Sequence, residues 1–266
     1  MAIFKKSNTD SKPYRLGLAL GGGGVRGLAH AGAIKAMHEA GLKPDIVAGV
    51  SAGSVVAVMY AAGVSPDDMI RLFLDKKVTD FAEIGLGKGG ILKIEKFTAH
   101  IMEALGGYTR LEDLPIPVRI GCTNLDDACP AYFDHGPIEP IVRASCSIPI
   151  AFKPVEIDGS TYVDGGVLRN LPAWTIRDDC ERLIGINVSP VLKHEHPSSL
   201  LDIAMRTYHM MAKANQDQDM QLCDLSIVTK EISHYNAFNL KVVTKVFKSG
   251  YANARKSLRD SGWWNS

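Results

Sequence analysis

Three features of the sequence predict an α/β fold with helices on both faces of a mostly parallel central sheet. Short apolar runs alternate with stretches of helical spacing. The first run ends in four consecutive glycines, Gly21 to Gly24. The second ends in a serine, Ser51, at a sharp junction with a long apolar segment. Parallel neighbours need a crossover between them, and the chain supplies one after each run.

Taken in order, Leu16 to Leu20 is the first strand, and Leu28, Ala31, Ile34, Ala36 and Met37 space a helix that stops at Gly41. Lys43-Pro44-Asp45 turns the chain into a strand over Ile46 to Val50, and Val55 to Ala62 continues as a second helix. Ser65-Pro66-Asp67-Asp68 reads as a helix start, with a serine cap, proline at the first helical position and acids at the positive end of the dipole. A glycine-rich break, Gly85-Leu86-Gly87-Lys88-Gly89-Gly90, precedes a helix from about Ile94 to Leu105, and the segment 85–110 is a candidate lid or an ordinary surface loop. Val118 to Cys122, Leu183 to Val188 and Leu225 to Val228 continue the sheet. Val155–Ile157 and Thr161–Val163 flank Asp158-Gly159-Ser160 as a β-hairpin that delivers Asp164-Gly165-Gly166.

The chemistry centres on Gly49-Val50-Ser51-Ala52-Gly53. A serine on a tight strand-to-helix turn sits in strained backbone, so the positions two residues either side must lack side chains, and Gly49 and Gly53 do. The turn aims the Ala52 N–H at the charge that develops on an attacked carbonyl. Gly21 to Gly27 follows a strand and opens a helix, which exposes backbone N–H groups to an anion. As a dinucleotide fingerprint, Gly22-x-Gly24-x-x-Gly27 lacks the acid expected at the end of the next strand, because Asp45 precedes that strand and Ser51 ends it. As an oxyanion loop it fits better: Gly22, Gly23 and Gly24 emerge at the same sheet edge as Ser51, each donor aimed at the charge contributing about 3 kcal/mol. Arg26 either steadies the loop, meets an anionic head group, or is a plain surface cation.

A serine nucleophile needs a base. His194, His196, His209 and His234 follow Asp164 in the order of a Ser–Asp–His triad, but none stands in a turn suited to catalysis, and His30 precedes the nucleophile. Asp164 leaves a hairpin and is followed by two glycines, Gly165 and Gly166, which let its carboxylate approach another backbone closely. An ordinary Asp-Gly turn gives the same letters.

In this order and at these separations, Gly21 to Gly27, Gly49 to Gly53 and Asp164-Gly165-Gly166 resemble the patatin-like phospholipase family. Arg143 to Pro149 with Phe152, Pro154 and Asn170-Leu171-Pro172 resembles its bacterial members, and the likeness runs over about Arg15 to Val188. Gly21 departs from plant members, which often carry Asp before the glycines. The resemblance implies a three-layer α/β/α fold and a catalytic Ser–Asp dyad without histidine, mapping onto Ser51 and Asp164. It also implies an oxyanion hole from the glycine loop and hydrolysis of acyl esters in lipids.

Composition narrows the rest. Thirty basic against 29 acidic residues over 266 positions gives a net charge of +1, with no global case for nucleic-acid binding. Five cysteines without metal-ligand spacing read as reduced thiols of a cytosolic protein, and neither a catalytic metal nor a cofactor is implied. No apolar run approaches the roughly 18 residues of a membrane span, so membrane contact is expected to be peripheral at most. The expected organisation is a disordered polar N-terminus (1–14), one catalytic domain (15–260) whose motifs lie in 15–188, and a tail (261–266). In Ala237 to Arg259, helical spacing puts Lys241, Lys245, Lys248, Arg255 and Arg259 on one side and Leu240, Val243, Phe247, Tyr251 and Ala254 on another. Such a helix either packs with a solvated basic face or lies on an anionic bilayer, with Trp263 and Trp264 as an anchor. The leading functional expectation is a lipid acyl hydrolase. The alternatives are a Ser–Asp–His esterase for small soluble esters and a regulatory protein that keeps the fold but acts by binding.

Overall fold

The computed structural model describes residues 11–80, 83–84, 92–190, 199–236 and 239–264. Strand β1 (Tyr14–Leu20) sends Leu16, Leu18 and Leu20 into the larger core and Ala19 into a smaller one beneath the opposite face, the alternation a strand covered on both sides requires. A 3-10 turn, Gly24–Gly27, leads into α1 (Leu28–Glu39), which ends where Gly41 takes φ 75°. The wholly buried β2 (Ile46–Val50) runs into α2 (Ala52–Ala61), buried on nearly every side. In α3 (Pro66–Arg71) the expected cap is present, with Asp68 N–H donating to Ser65 Oγ. A short antiparallel pair, β3 (Glu83–Ile84) and β4 (Leu92–Lys93), precedes α4 (Glu95–Glu103). The glycine-rich break between those strands lies outside the described residues. There follow β5 (Val118–Asn124), β6 (Cys129–Phe133), α5 (Ile138–Ser145), the hairpin β7 (Val155–Ile157) and β8 (Ser160–Asp164), then β9 (Cys180–Asn187), α6 (Leu200–Met220), β10 (Leu225–Val228) and α7 (Val243–Asp260).

These strands make one 8-stranded mixed sheet, ordered β10-β9-β1-β2-β5-β8-β7, with β6 paired to β5. From β10 to β5 every pairing is parallel, as the crossover pattern predicts. Helices cover both faces. The arrangement around β5 positions the site. One edge of β5 pairs with β2 as far as Val50↔Gly121, while β6 occupies the other edge from Ile120 to Asn124. At Ser51 the chain leaves the sheet for α2, and β8 takes over the vacated edge, antiparallel, beginning at Cys122↔Asp164. The residue before Ser51 and the residue Asp164 therefore pair with consecutive residues of one strand. Gly165 lies against the same junction: a Cβ there would stand 2.8 Å from Gly121 O and 3.1 Å from Val50 Cγ1.

The C-terminal helix packs on the body. Val243, Val246, Gly250, Ala254 and Leu258 of α7 are buried, whereas Lys241, Lys245, Lys248, Arg255 and Arg259 are exposed. Gly250 lies on Ala29 of α1, and Gly32 of α1 lies on Phe247 and Tyr251, so the two backbones touch. Trp263 and Trp264 are half-buried against the core; Arg182 stacks 3.4 Å from the Trp263 ring centroid, and Arg255 and Arg259 lie over Trp264. Arg182 pairs with Leu16 near the start of β1, so the tryptophans sit toward the sheet edge opposite Gly21 and Ser51. Replacing Gly250 by alanine is expected to destabilise the protein by about 1–3 kcal/mol, since the new methyl would strike main-chain atoms of Ala29 that no rotamer change can move. A melting temperature lowered by several degrees, with activity unchanged at 25 °C, is the result to look for.

Candidate active site

Ser51 has φ 53° and ψ −124°, a conformation costly for any residue with a side chain, and is only 5% exposed. Close packing imposes that turn. A Cβ on Gly53 would run into Leu20 O, and one on Gly49 into Gly53 O. Likewise, one on Gly27 would meet the Ala52 methyl. Ser54 Oγ donates to Ser51 O (2.6 Å), tying the apex to the first turn of α2. The Ser51 N–H donates to Ser145 Oγ (2.9 Å), and that hydroxyl donates to Gly121 O (2.7 Å), bridging the apex to β5. Two residues on, Ser147 O accepts the Asp164 N–H (3.0 Å). The end of α5 thus holds both Ser51 and Asp164, a role the sequence did not disclose for Ser145 and Ser147.

Asp164 ends β8 and is fully buried. Burial pushes its carboxyl from 3.8 up to about 6, against the opposing pull of the Gly166 N–H, Ser51 and Tyr208. The Gly166 N–H donates to Oδ1 (2.8 Å), while Oδ2, also buried, has no hydrogen-bond partner among the described residues. Cys122 and Cys146 lie close enough to feel the carboxylate; burial first and then that charge push both thiols upward. No histidine acts on Asp164 among the described residues.

The glycine loop lies beside Ser51. A Cβ on Gly22 would stand 3.1 Å from Ser51 Cβ and 2.6 Å from Asn170 Oδ1, so only glycine fits there. Two peptides of the loop are held from behind. His30, buried and pushed down to about 4 by that burial, is neutral and donates from Nε2 to Gly21 O (2.7 Å). The Gly22 N–H, on the other side of that peptide plane, donates to Asn170 O (3.2 Å). Arg26 is 7% exposed, not a surface cation: Nε donates to Gly23 O (3.2 Å) and Nη2 to Ser189 Oγ (3.4 Å). Burial lowers it to about 10, which leaves it charged at neutral pH. Anchoring Gly23 O sends the Gly24 N–H the opposite way. Of the four expected donors, Gly22 is engaged; no hydrogen bond is seen from Gly23, Gly24 or Ala52 among the described residues.

Helix α6 backs this assembly. Asn215 Oδ1 accepts the Asn170 N–H (2.8 Å), and its Nδ2 donates to Gly166 O (3.1 Å). Asn170 Nδ2 donates to Gln216 Oε1 (3.2 Å). Buried Asp219 takes both hydrogen bonds of a bidentate pair with Arg169, at 2.6 and 2.9 Å. His209 lies on the same helix, pushed down to about 4 by burial and then by Arg26 and Arg206. His194 and His196 fall outside the described residues. No group of three or more metal-binding side chains occurs among the described residues, and no described helix is long and apolar enough to cross a membrane.

The strained serine turn, the glycine loop and the buried Asp164 all lie within one stretch that a family model matches. The sequence model of patatin-like phospholipases matches residues 18–176, and the chain belongs to that family. It is 35% identical over 164 residues to an NTE family protein of Mycobacterium tuberculosis, covering 61% of this chain and 45% of that one. It is 26% identical over 283 residues to the lysophospholipase nte1 of Aspergillus fumigatus, covering 91% of this chain and 18% of the relative. The chain thus spans less than half the length of these relatives. In fold it is similar to the crystal structure of VipD from Legionella pneumophila, with a TM-score of 0.59 at 13% identity over 97% of this chain and 72% of that one.

Proposed function

We propose that the chain is a serine acyl hydrolase that cleaves carboxylic esters of phospholipids or lysophospholipids through a Ser51–Asp164 dyad. The observation that carries this reading is the shared edge of β5, where Val50 and Asp164 pair with consecutive residues. Asp164 Oδ2 takes the Ser51 proton as Oγ bonds to the ester carbonyl carbon. The amides of Gly23, Gly24 and Ala52 hold the resulting oxyanion, while Gly22 fixes the loop through Asn170. The protonated Asp164 then gives its proton to the departing alcohol. In the second half it takes a proton from water as the water oxygen bonds to the acyl carbon, and it returns that proton to Ser51 Oγ as the Oγ–acyl bond breaks and the fatty acid departs. A carboxyl near its ordinary pKa is a weak base for a hydroxyl, and burial that raises it to about 6 brings it closer to the task while leaving it ionised at pH 7. Lipid as substrate is supported by family membership and by relatives named as lysophospholipases. The Ser–Asp–His alternative has less support, because no histidine among the described residues acts on Asp164.

The test is intact mass after a fluorophosphonate probe, followed by fatty-acid release from lysophosphatidylcholine micelles, on wild type and Ser51→Ala. One probe adduct and fatty-acid release in the wild type alone are expected; an unlabelled wild type overturns the reading in favour of a binding protein. The base must be ionised, so kcat/KM is expected to fall about tenfold per pH unit below about 6 and to level off above it. A rate flat from pH 4.5 to 8 would contradict Asp164 as the base.

A further inference from the structure

We propose that Tyr208 of α6 is a positioning residue whose hydroxyl donates to Oδ1 of Asp164 and so turns Oδ2 toward Ser51. The inference rests on the dyad reading above and adds to it a residue from an element that contributes no motif. Three oxygens converge on the open side of Gly166, where a Cβ would collide with the Tyr208 hydroxyl, lie 2.9 Å from Asn170 Oδ1 and 3.1 Å from Asp164 Oδ1. The Tyr208 hydroxyl is therefore a neighbour of Oδ1, the oxygen that the Gly166 N–H already holds. Among the described residues, Oδ2 is left as the buried carboxylate oxygen without a hydrogen-bond partner.

A carboxylate beside a serine has two chemically equal oxygens and a rotatable χ2. Without a histidine to relay the proton, the oxygen that faces the hydroxyl must itself be the base, so rotation of the carboxylate is a loss mechanism that triads avoid. Two donors on Oδ1 remove it. Tyrosine suits the role because it stays protonated: burial, then the Asp164 charge, hold its hydroxyl well above the ordinary range. Among the described residues, the other titratable groups facing the carboxylate are Cys122 of β5 and Cys146 at the end of α5, both held protonated, so of these groups Asp164 is the one that titrates near pH 6. A donor to the ionised form lowers a carboxyl pKa, and removing it raises the pKa. Gly166 has to be glycine for the hydroxyl to arrive at all.

The experiment uses Tyr208→Phe, which keeps the ring and removes only the hydroxyl. The rate of fluorophosphonate labelling is followed from pH 4.5 to 9, and the melting temperature over the same range reads the Asp164 titration without chemistry. In the variant the acid limb of the labelling rate is expected to move to higher pH by about one unit, with a lower plateau, and the transition in melting temperature to move with it. Superimposable limbs and superimposable melting curves overturn the inference and leave Tyr208 a packing residue. If the wild type is not labelled, the dyad reading fails on its own. The melting curves then decide between a Tyr208–Asp164 hydrogen bond and none.

Discussion

Ser51→Ala is expected to abolish probe labelling and to lower ester hydrolysis by about 10⁶-fold, the size of loss seen when a hydrolase nucleophile is removed. Little else should change. The side chain lost is one hydroxyl, and the bonds that hold the turn come from the main chain: Ser51 N–H to Ser145 Oγ, and Ser51 O to Ser54. The residual rate over water would come from the amides of Gly23, Gly24 and Ala52, which the substitution leaves in place. Alanine keeps the strain of φ 53° because it keeps a Cβ, whereas Ser51→Gly removes it. The glycine variant should therefore be equally inactive but more stable than the alanine one by about 1 kcal/mol. Equal melting temperatures for the two would mean that the elbow stores no strain.

That contrast explains how much of the site the sequence carried. The elbow and the loop are each written in consecutive letters. Gly49 faces Gly53 O inside its own motif, whereas Gly53 faces Leu20 O, Gly27 faces the Ala52 Cβ and Gly22 faces the Ser51 Cβ, so these glycines are required where the two motifs pack on each other. Asp164 was legible through its hairpin. What holds these pieces together was not, because it comes from far along the chain and uses residues with common structural roles. Ser145 reads as the last residue of one helix, and Asn215, Gln216 and Asp219 read as the polar face of another. Tyr208 is one aromatic on a helix. Arg26 looks like a cation on an exposed first turn until Ser189, 163 residues later, covers it. The apolar side expected of the C-terminal helix packs on the body, and the contact is wider than the apolar spacing shows. Leu240, Phe247 and Tyr251 are only half-buried, while Val246, Gly250 and Leu258 join Val243 and Ala254 at the contact. Hydropathy gives glycine no weight, yet the close approach of Gly250 to Ala29 sets which side of the helix faces the body.

Asp164→Asn tests the same site from the opposite direction, because it should lose activity and gain stability. Activity falls by roughly 10⁴-fold, since an amide cannot accept the Ser51 proton while the geometry around it is kept. The fold has reason to accept the change: Asn Oδ1 still receives the Gly166 N–H, and its amide group would face the Ser51 hydroxyl oxygen where Oδ2 had no partner. The stability effect follows from linkage. The native carboxyl titrates at about 6 against 3.8 when unperturbed. Its contribution to stability is therefore fully present below pH 4 and is lost as pH rises through 6, a loss on the order of 3 kcal/mol. Asparagine does not titrate, so the variant avoids that loss. At pH 8 the Asn protein is expected to unfold at higher denaturant concentration than the wild type, and the advantage should shrink toward zero as pH falls to 4. An inactive variant that is no more stable at pH 8 than at pH 4, relative to wild type, would mean that Asp164 keeps an ordinary pKa. The burial argument for its strength as a base would then fail even though the residue is needed.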